Sequence, residues 1–438
     1  MPRLKLALLA ILVTIVAPWI SDSSAAAAPP EGFRPLFNEK DLSGWYGKPH
    51  FSPIDLAKLS KEERDAKIAE WTADAKMHWS VENGELVNDG HGAYLVSEEQ
   101  FTDYELLIDY KTVARADSGI YLKGNPQVQI WDFTDPEKFS IGSDKGSGGL
   151  WNNSPGAPGK DPFVLADKAF GEWNSFRIRQ IGARTTVWLN DKLVVDNATM
   201  ENFWDRESPL FAKGSVELQT HGGEIRWKNI YVREIPPEEA NELLSRHTAD
   251  GFESLFNGTD LTGWAGAKDN YEVVDGAIRC KDGHGGLLHT EKEYSNFAVR
   301  LEFRLPPGGN NGLAIRSPGS GDPAYVAMTE LQVLDSEDPK YANLDARQYH
   351  GSAYGMIPAH RGFLRAPGEW NYQEVTVDGS RIKVELNGNI ILDGDVAKVT
   401  KYMADSPHPG KTRTSGYFGF AGHSDPVEFR NVSIKTLP

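Results

Sequence analysis

Cysteine is almost missing from this 438-residue chain: Cys280 stands alone. No disulfide within the chain and no cysteine-ligated zinc site can form, so packing has to hold the fold. Cationic runs are missing too. With 46 Lys and Arg against 62 Asp and Glu, the formal charge is −16, which excludes nucleic acid and anionic membrane surfaces as natural partners. No His-x-x-x-His helix and no Asp-rich calcium loop of recognised spacing occurs, so the sequence leaves metal binding open. Helical periodicity is scarce, which argues against the regular strand-helix alternation of an α/β fold. One long apolar run exists, residues 6–20. It follows Arg3 and Lys5 and leads into Ala26-Ala27-Ala28, the plan of a secretory signal peptide over residues 1–28. Pro18 interrupts a run already short for a membrane span. The expectation is an exported protein, periplasmic or extracellular, with no membrane insertion once the leader is removed.

What is present is one unit written twice. Residues 32–45, GFRPLFNEKDLSGW, and residues 251–264, GFESLFNGTDLTGW, are identical at nine of fourteen positions. The correspondence continues in order: DSGIYLK with NNGLAIR, GEWNSFRI with GEWNYQEV, and finally GSVELQTHGGEIRWKNIYV with GYFGFAGHSDPVEFRNVSI without a gap. Each copy is long enough to close its own core, so this is a domain duplication and not a solenoid. The units run over residues 31–235 and 251–438, joined by a short surface helix at 236–250 whose prolines and acidic start suit a linker. The first unit alone carries an Ala-, Lys- and Glu-rich insertion at about residues 53–78, read as helical. Elsewhere apolar and polar residues alternate, with Asn83-Gly84, Asp275-Gly276 and Asn387-Gly388 as hairpin turns. Both units are therefore expected to be all-β antiparallel sandwiches. Cys280, set against Val87 of the first unit, reads as a small apolar side chain without a chemical role.

Candidate site residues gather on one strand of each unit. In TELQVLDSED, residues 329–338, Leu331 and Val333 share one face while Glu330 and Gln332 share the other. The apolar pair belongs to the core, which turns Glu330 and Gln332 to the open, concave side. The sister stretch PQVQIWDFTD, residues 126–135, puts Gln127, Gln129 and Trp131 there. Two amides beside an indole suit sugar hydroxyls and a sugar ring face; ordinary outward polar residues of a half-exposed sheet are the plain alternative. One carboxylate in one unit and none in the other disfavours a conventional two-carboxylate glycosidase. Asp335 and Asp132 follow three residues later, where alternation turns them away unless the strand bends. Histidines recur in pairs, His91 with His284 and His221 with His423, and the second unit adds His350 in a turn-rich stretch with Tyr354. Trp151 sits in the glycine-rich GSGGLWNNSPG with no Trp counterpart in the second unit.

Three features together resemble the 3-keto-disaccharide hydrolase domain family. They are the opening Leu-Phe-Asn with Asp-Leu-x-Gly-Trp, the strand Glu330-x-Gln332-x-x-Asp335, and the closing His423 followed by Phe429-Arg430-Asn431. Both units carry the resemblance, which covers nearly all of the chain beyond residue 30. It implies a jelly-roll sandwich similar to the concanavalin A-like lectins and glucanases, acting on glycosides already oxidised at carbon 3. Such a ketone acidifies the proton on carbon 2, so a single base can start cleavage by elimination, with water adding afterwards. On this reading the catalytic set is Glu330, His284, His350, Arg316 and His423. Substrate contacts come from Gln332, Asp335 and Tyr354 in the second unit, and from Gln127, Gln129, Trp131, Asp132, His91, Trp151 and His221 in the first. The partner is an oligosaccharide or glycoside. No cofactor is required, and residues 319–325 and 335–345 are where a structural calcium would sit. A noncatalytic carbohydrate-binding protein is the alternative, favoured by Gln127 in place of a carboxylate, and a surface interaction module is a third.

Overall fold

The computed structural model describes residues 28–247 and 250–438; the expected signal peptide, but for its last residue, lies outside them. Among the described residues no helix is long and apolar enough to cross a membrane.

The chain forms two antiparallel β-sandwiches of the same topology. In the first, a five-stranded sheet runs in the order Trp45–Lys48, Tyr94–Phe101, Gly214–Leu218, Asp117–Leu122, Asn125–Trp131. In the second, the order is Trp264–Gly266, Gly285–Tyr294, Gly416–His423, Asn310–Ser317, Thr329–Leu334. Each packs on an eight-stranded sheet. Alternation decides the faces: Val128 and Ile130 in the first unit, and Leu331 and Val333 in the second, are fully buried in their respective cores. Each such side chain contributes roughly 1.5–3 kcal/mol of burial. A one-residue slip would turn all of them to the opposite face, so the apolar pairs also fix where Gln127, Gln129, Glu330 and Gln332 point.

The insertion forms two helices, Pro53–Lys58 and Lys61–His78, the second opened by a Ser60/Glu63 capping box. It braces the edge strand Trp45–Lys48. A Cβ on Gly47 would lie 2.1 Å from the Trp71 carbonyl oxygen, so only glycine admits so close a helix. Helix Pro237–His247, expected as a surface linker, is instead partly internal. Ala240 and Leu244 are buried in a small cluster with Ile181, Ile235 and Tyr372 that draws on both units, because their spacing makes one apolar stripe. Asn241 on the same helix donates to Glu302 and to the Trp370 carbonyl, each at 3.1 Å. The units also touch directly. Arg184 grips Glu385 with two hydrogen bonds, and the Ala183 amide donates to the Gly388 carbonyl at 3.1 Å.

Cys280 differs from its sequence reading. Strand pairing sets it opposite Tyr271 as Asn88 is set opposite Trp79, so its true counterpart is Asn88 and not Val87. It is fully buried, and burial pushes its thiol up to about 11.

Candidate functional site

The second unit holds a half-open cavity of about 290 Å³ over the outward face of its five-stranded sheet, near the lower end of the range for small-molecule sites. Strand Thr329–Leu334 supplies Glu330 and Gln332, and its neighbour Asn310–Ser317 supplies Asn310. The end of Gly416–His423 supplies His423. Loops bring Asp322, Tyr325, Tyr341, Gln348 and Tyr354.

Glu330 is 2% exposed. One carboxylate oxygen faces His423 Nε2 at 3.3 Å, and the other has no hydrogen-bond partner. Burial in this setting raises the carboxyl above its ordinary value, while the bond to Glu330 raises the His423 imidazole. A carboxyl raised by burial beside a histidine at a cavity wall marks a candidate acid–base pair. Room for the carboxylate comes from Gly312 on the adjacent strand, where a Cβ would sit 2.1 Å from Glu330 Oε1. Around it, Gln332 donates to Asn310 Oδ1 at 2.6 Å, and Gln348 donates to the Tyr354 hydroxyl at 3.0 Å, leaving the tyrosine proton free to be given to a ligand.

Of the five residues expected to surround a reacting sugar, the structure brings together Glu330 and His423. His350 is in the core: it stacks on Phe303, bonds Gln373 through Nε2 at 2.9 Å and accepts from the Leu334 amide. Burial lowers it to about 4, so it is held neutral. Arg316 is buried and binds the carbonyls of Ser295, Gly379 and Arg413 together with Asn296 Oδ1. It satisfies loop ends and lines no part of the second unit's cavity. His284 is exposed on a turn away from the cavity lining.

Among the expected substrate contacts in this unit, Gln332 and Tyr354 line the cavity, whereas Asp335 accepts from the Gly308 amide at 2.8 Å and holds a turn. Asp132 does the same in the first unit, accepting from the amides of Arg115 and Thr134. Trp131 donates its indole N–H to the Gly146 carbonyl and meets Trp151 edge-on at 5.1 Å, while Lys160 lies over the Trp151 ring. These two rings are occupied by their own chain. His91 is exposed and bound through its backbone to Asn88 and Asp89. Gln127 and Gln129 are joined to each other, and His221 lies 3.4 Å from Asp117.

Sequence reading missed Asp322, a second carboxylate in the cavity, because a loop returns it from outside the strand pattern. It also missed Asn310, Tyr325, Tyr341 and Gln348. Asn310 was findable, since it opens NNGLAIR, the segment paired with DSGIYLK. Asp322, Asp338 and Asp345, in the two loops expected to suit calcium, each cap a short helical turn. Two larger hollows of about 670 and 1050 Å³ flank the helical insertion. In the smaller, Glu217 is neutralised by the Lys48 ammonium at 2.7 Å.

The model of a single family, described as the 3-keto-alpha-glucoside-1,2-lyase-like domain, matches residues 32–233 and again 251–435. A 3-keto-disaccharide hydrolase of Bacteroides thetaiotaomicron is 27% identical over 265 residues, 51% of this chain and 91% of that protein. A crystal structure from Parabacteroides distasonis, designated a glycosyl hydrolase on a provisional basis, is 25% identical with a TM-score of 0.39, covering 44% of this chain and 97% of that one. A carbohydrate-binding module from Bacillus subtilis is 13% identical with a TM-score of 0.28, covering 40% and 96%.

Proposed function

Because the chain belongs, through both of its units, to the family of 3-keto-alpha-glucoside-1,2-lyase-like domains, we propose that it cleaves the glycosidic bond of 3-keto-glycosides or 3-keto-disaccharides in the cavity of the second unit. The observation that carries this reading is Glu330: buried, raised in pKa, paired with a histidine, and left with one unpartnered oxygen at a cavity wall.

In the proposed route Glu330 removes the proton from carbon 2 of the keto sugar. The electron pair becomes an enolate whose oxygen takes a hydrogen bond from the free Tyr354 hydroxyl proton. Collapse of the enolate breaks the bond from carbon 1 to the leaving oxygen, which receives a proton from His423. Water then adds across carbons 1 and 2, so the net change is glycoside plus water giving 3-keto sugar plus alcohol. A raised carboxyl is the stronger base for a weakly acidic C–H, and burial is what raises it. Gln332, Asn310 and Gln348 would hold hydroxyls. In the hydration step the Glu330 carboxyl, after exchange with solvent, returns a proton to carbon 2 and His423 takes one from the attacking water, which resets both side chains. Export, on the strength of the leader-like residues 1–28, belongs to the same proposal.

A second reading is favoured by Asp322. Two carboxylates in one cavity would permit direct hydrolysis of an unoxidised glycoside. Reaction in deuterium oxide, sampled early, separates the two. Elimination and hydration leave solvent deuterium on carbon 2 of the released sugar; direct hydrolysis leaves none.

A further inference from the structure

We infer that the first unit carries a second sugar site, which binds a glycoside without turning it over. It rests on reading the second unit's cavity as a sugar site, but its own evidence lies in the first unit. The duplication aligns Asp117 with Asn310, Gln127 with Glu330, Gln129 with Gln332, Lys138 with Tyr341 and His221 with His423. The carboxylate has thus exchanged places with an amide across two adjacent strands. It keeps the equivalent histidine as partner, at 3.4 Å in the first unit and 3.3 Å in the second.

The exchange changes the chemistry. Asp117 accepts from Gln129 Nε2 at 3.0 Å and from Lys138 Nζ at 2.7 Å, besides facing His221. Burial alone would raise its carboxyl, but His221 and Lys138 outweigh burial and hold it below the usual range. A carboxylate so stabilised is a poor base, and Gln127, where Glu330 would be, cannot take a proton. What remains is a ledge of fixed polar groups. Gln219 lies beside it: its backbone amide donates to the carbonyl of Gly119, which pairs with Gln129, and its side-chain amide reaches the Tyr94 hydroxyl at 3.5 Å. Its counterpart in the second unit is Ala421. Gln219 is 6% exposed and its side-chain oxygen has no partner. That oxygen needs a donor. A sugar hydroxyl supplies one.

Tryptophan emission reports on this unit selectively. Trp131 lies two residues beyond Gln129 on the same strand, whereas Trp264 and Trp370 are buried and line no part of the second unit's cavity. The test titrates the full chain with an unoxidised glucosyl disaccharide, in wild type and in a His423→Ala variant. A saturable emission change is expected in both. Asp117→Asn should weaken it by about tenfold or more, as expected for loss of a charged hydrogen-bonding partner. Gln219→Leu, which leaves the Asp117 clamp untouched, should also weaken it and serves if Asp117→Asn fails to fold. Absence of a saturable change, or unchanged affinity in the variant or variants that fold, overturns the inference. Failure of the second-unit reading would show separately, as absence of turnover of a 3-keto disaccharide.

Discussion

Gly312→Ala adds a single methyl group and should disable the second unit's chemistry. The new Cβ would lie 2.1 Å from Glu330 Oε1, 2.4 Å from Cδ and 2.5 Å from Cγ, against an optimal carbon–carbon separation of about 3.5–4.0 Å. The Glu330 carboxylate must therefore move by roughly 1 Å or more, and a misplacement of that size costs on the order of 10²-fold in rate. Gly312 has no positive φ, so alanine carries no backbone strain there. Without the clash, the substitution would stabilise the protein by about 0.4–1 kcal/mol by restricting the unfolded chain. Overpacking instead predicts a loss of about 1–3 kcal/mol. The assay is kcat and KM on a 3-keto disaccharide, with urea unfolding alongside. A fall in kcat with a stability loss is expected. Wild-type kcat with raised stability would mean that Glu330 is not held where the mechanism needs it.

His350, neutral in the fold with a pKa depressed from 6.5 to about 4, binds fewer protons folded than unfolded between those values. Stability should fall by about 3 kcal/mol as pH drops from 6.5 to 4, and urea unfolding of His350→Gln should show a shallower acid slope. Cys280→Ala removes a fully buried sulfur and should cost about 1–2 kcal/mol by thermal melting; in wild type, thiol reagents should leave the folded protein unlabelled. Arg184→Ala strands the buried Glu385 across the unit boundary and should cost about 1–3 kcal/mol, read as separation of one melting transition into two.

The duplication and the sandwich class were legible because they rest on local signals, namely ordered repetition and alternation of period two. The same alternation oriented Glu330 correctly, since Leu331 and Val333 admit one face only. It failed wherever position depends on a loop's return path. Asp322 and Tyr341 arrive in the cavity from outside any strand, while Asp132 and Asp335 turn back onto amides that no spacing rule identifies. His350 and Arg316 failed differently. Both are polar residues of a kind that suggests chemistry, yet each is buried with its donors spent on backbone or on Gln373. Asp117 was overlooked because each strand was read alone, and the exchange of carboxylate and amide shows only when two paired strands are compared.

The most direct measurement of the central claim is turnover of a 3-keto disaccharide beside its unoxidised parent by wild type and by Glu330→Gln, with products separated and quantified. The account predicts that wild type cleaves the keto sugar and spares the parent. It further predicts that Glu330→Gln lowers kcat by about 10²- to 10⁴-fold, the usual cost of a lost general base, with little change in KM. Equal cleavage of the parent, or full activity in Glu330→Gln, would contradict it.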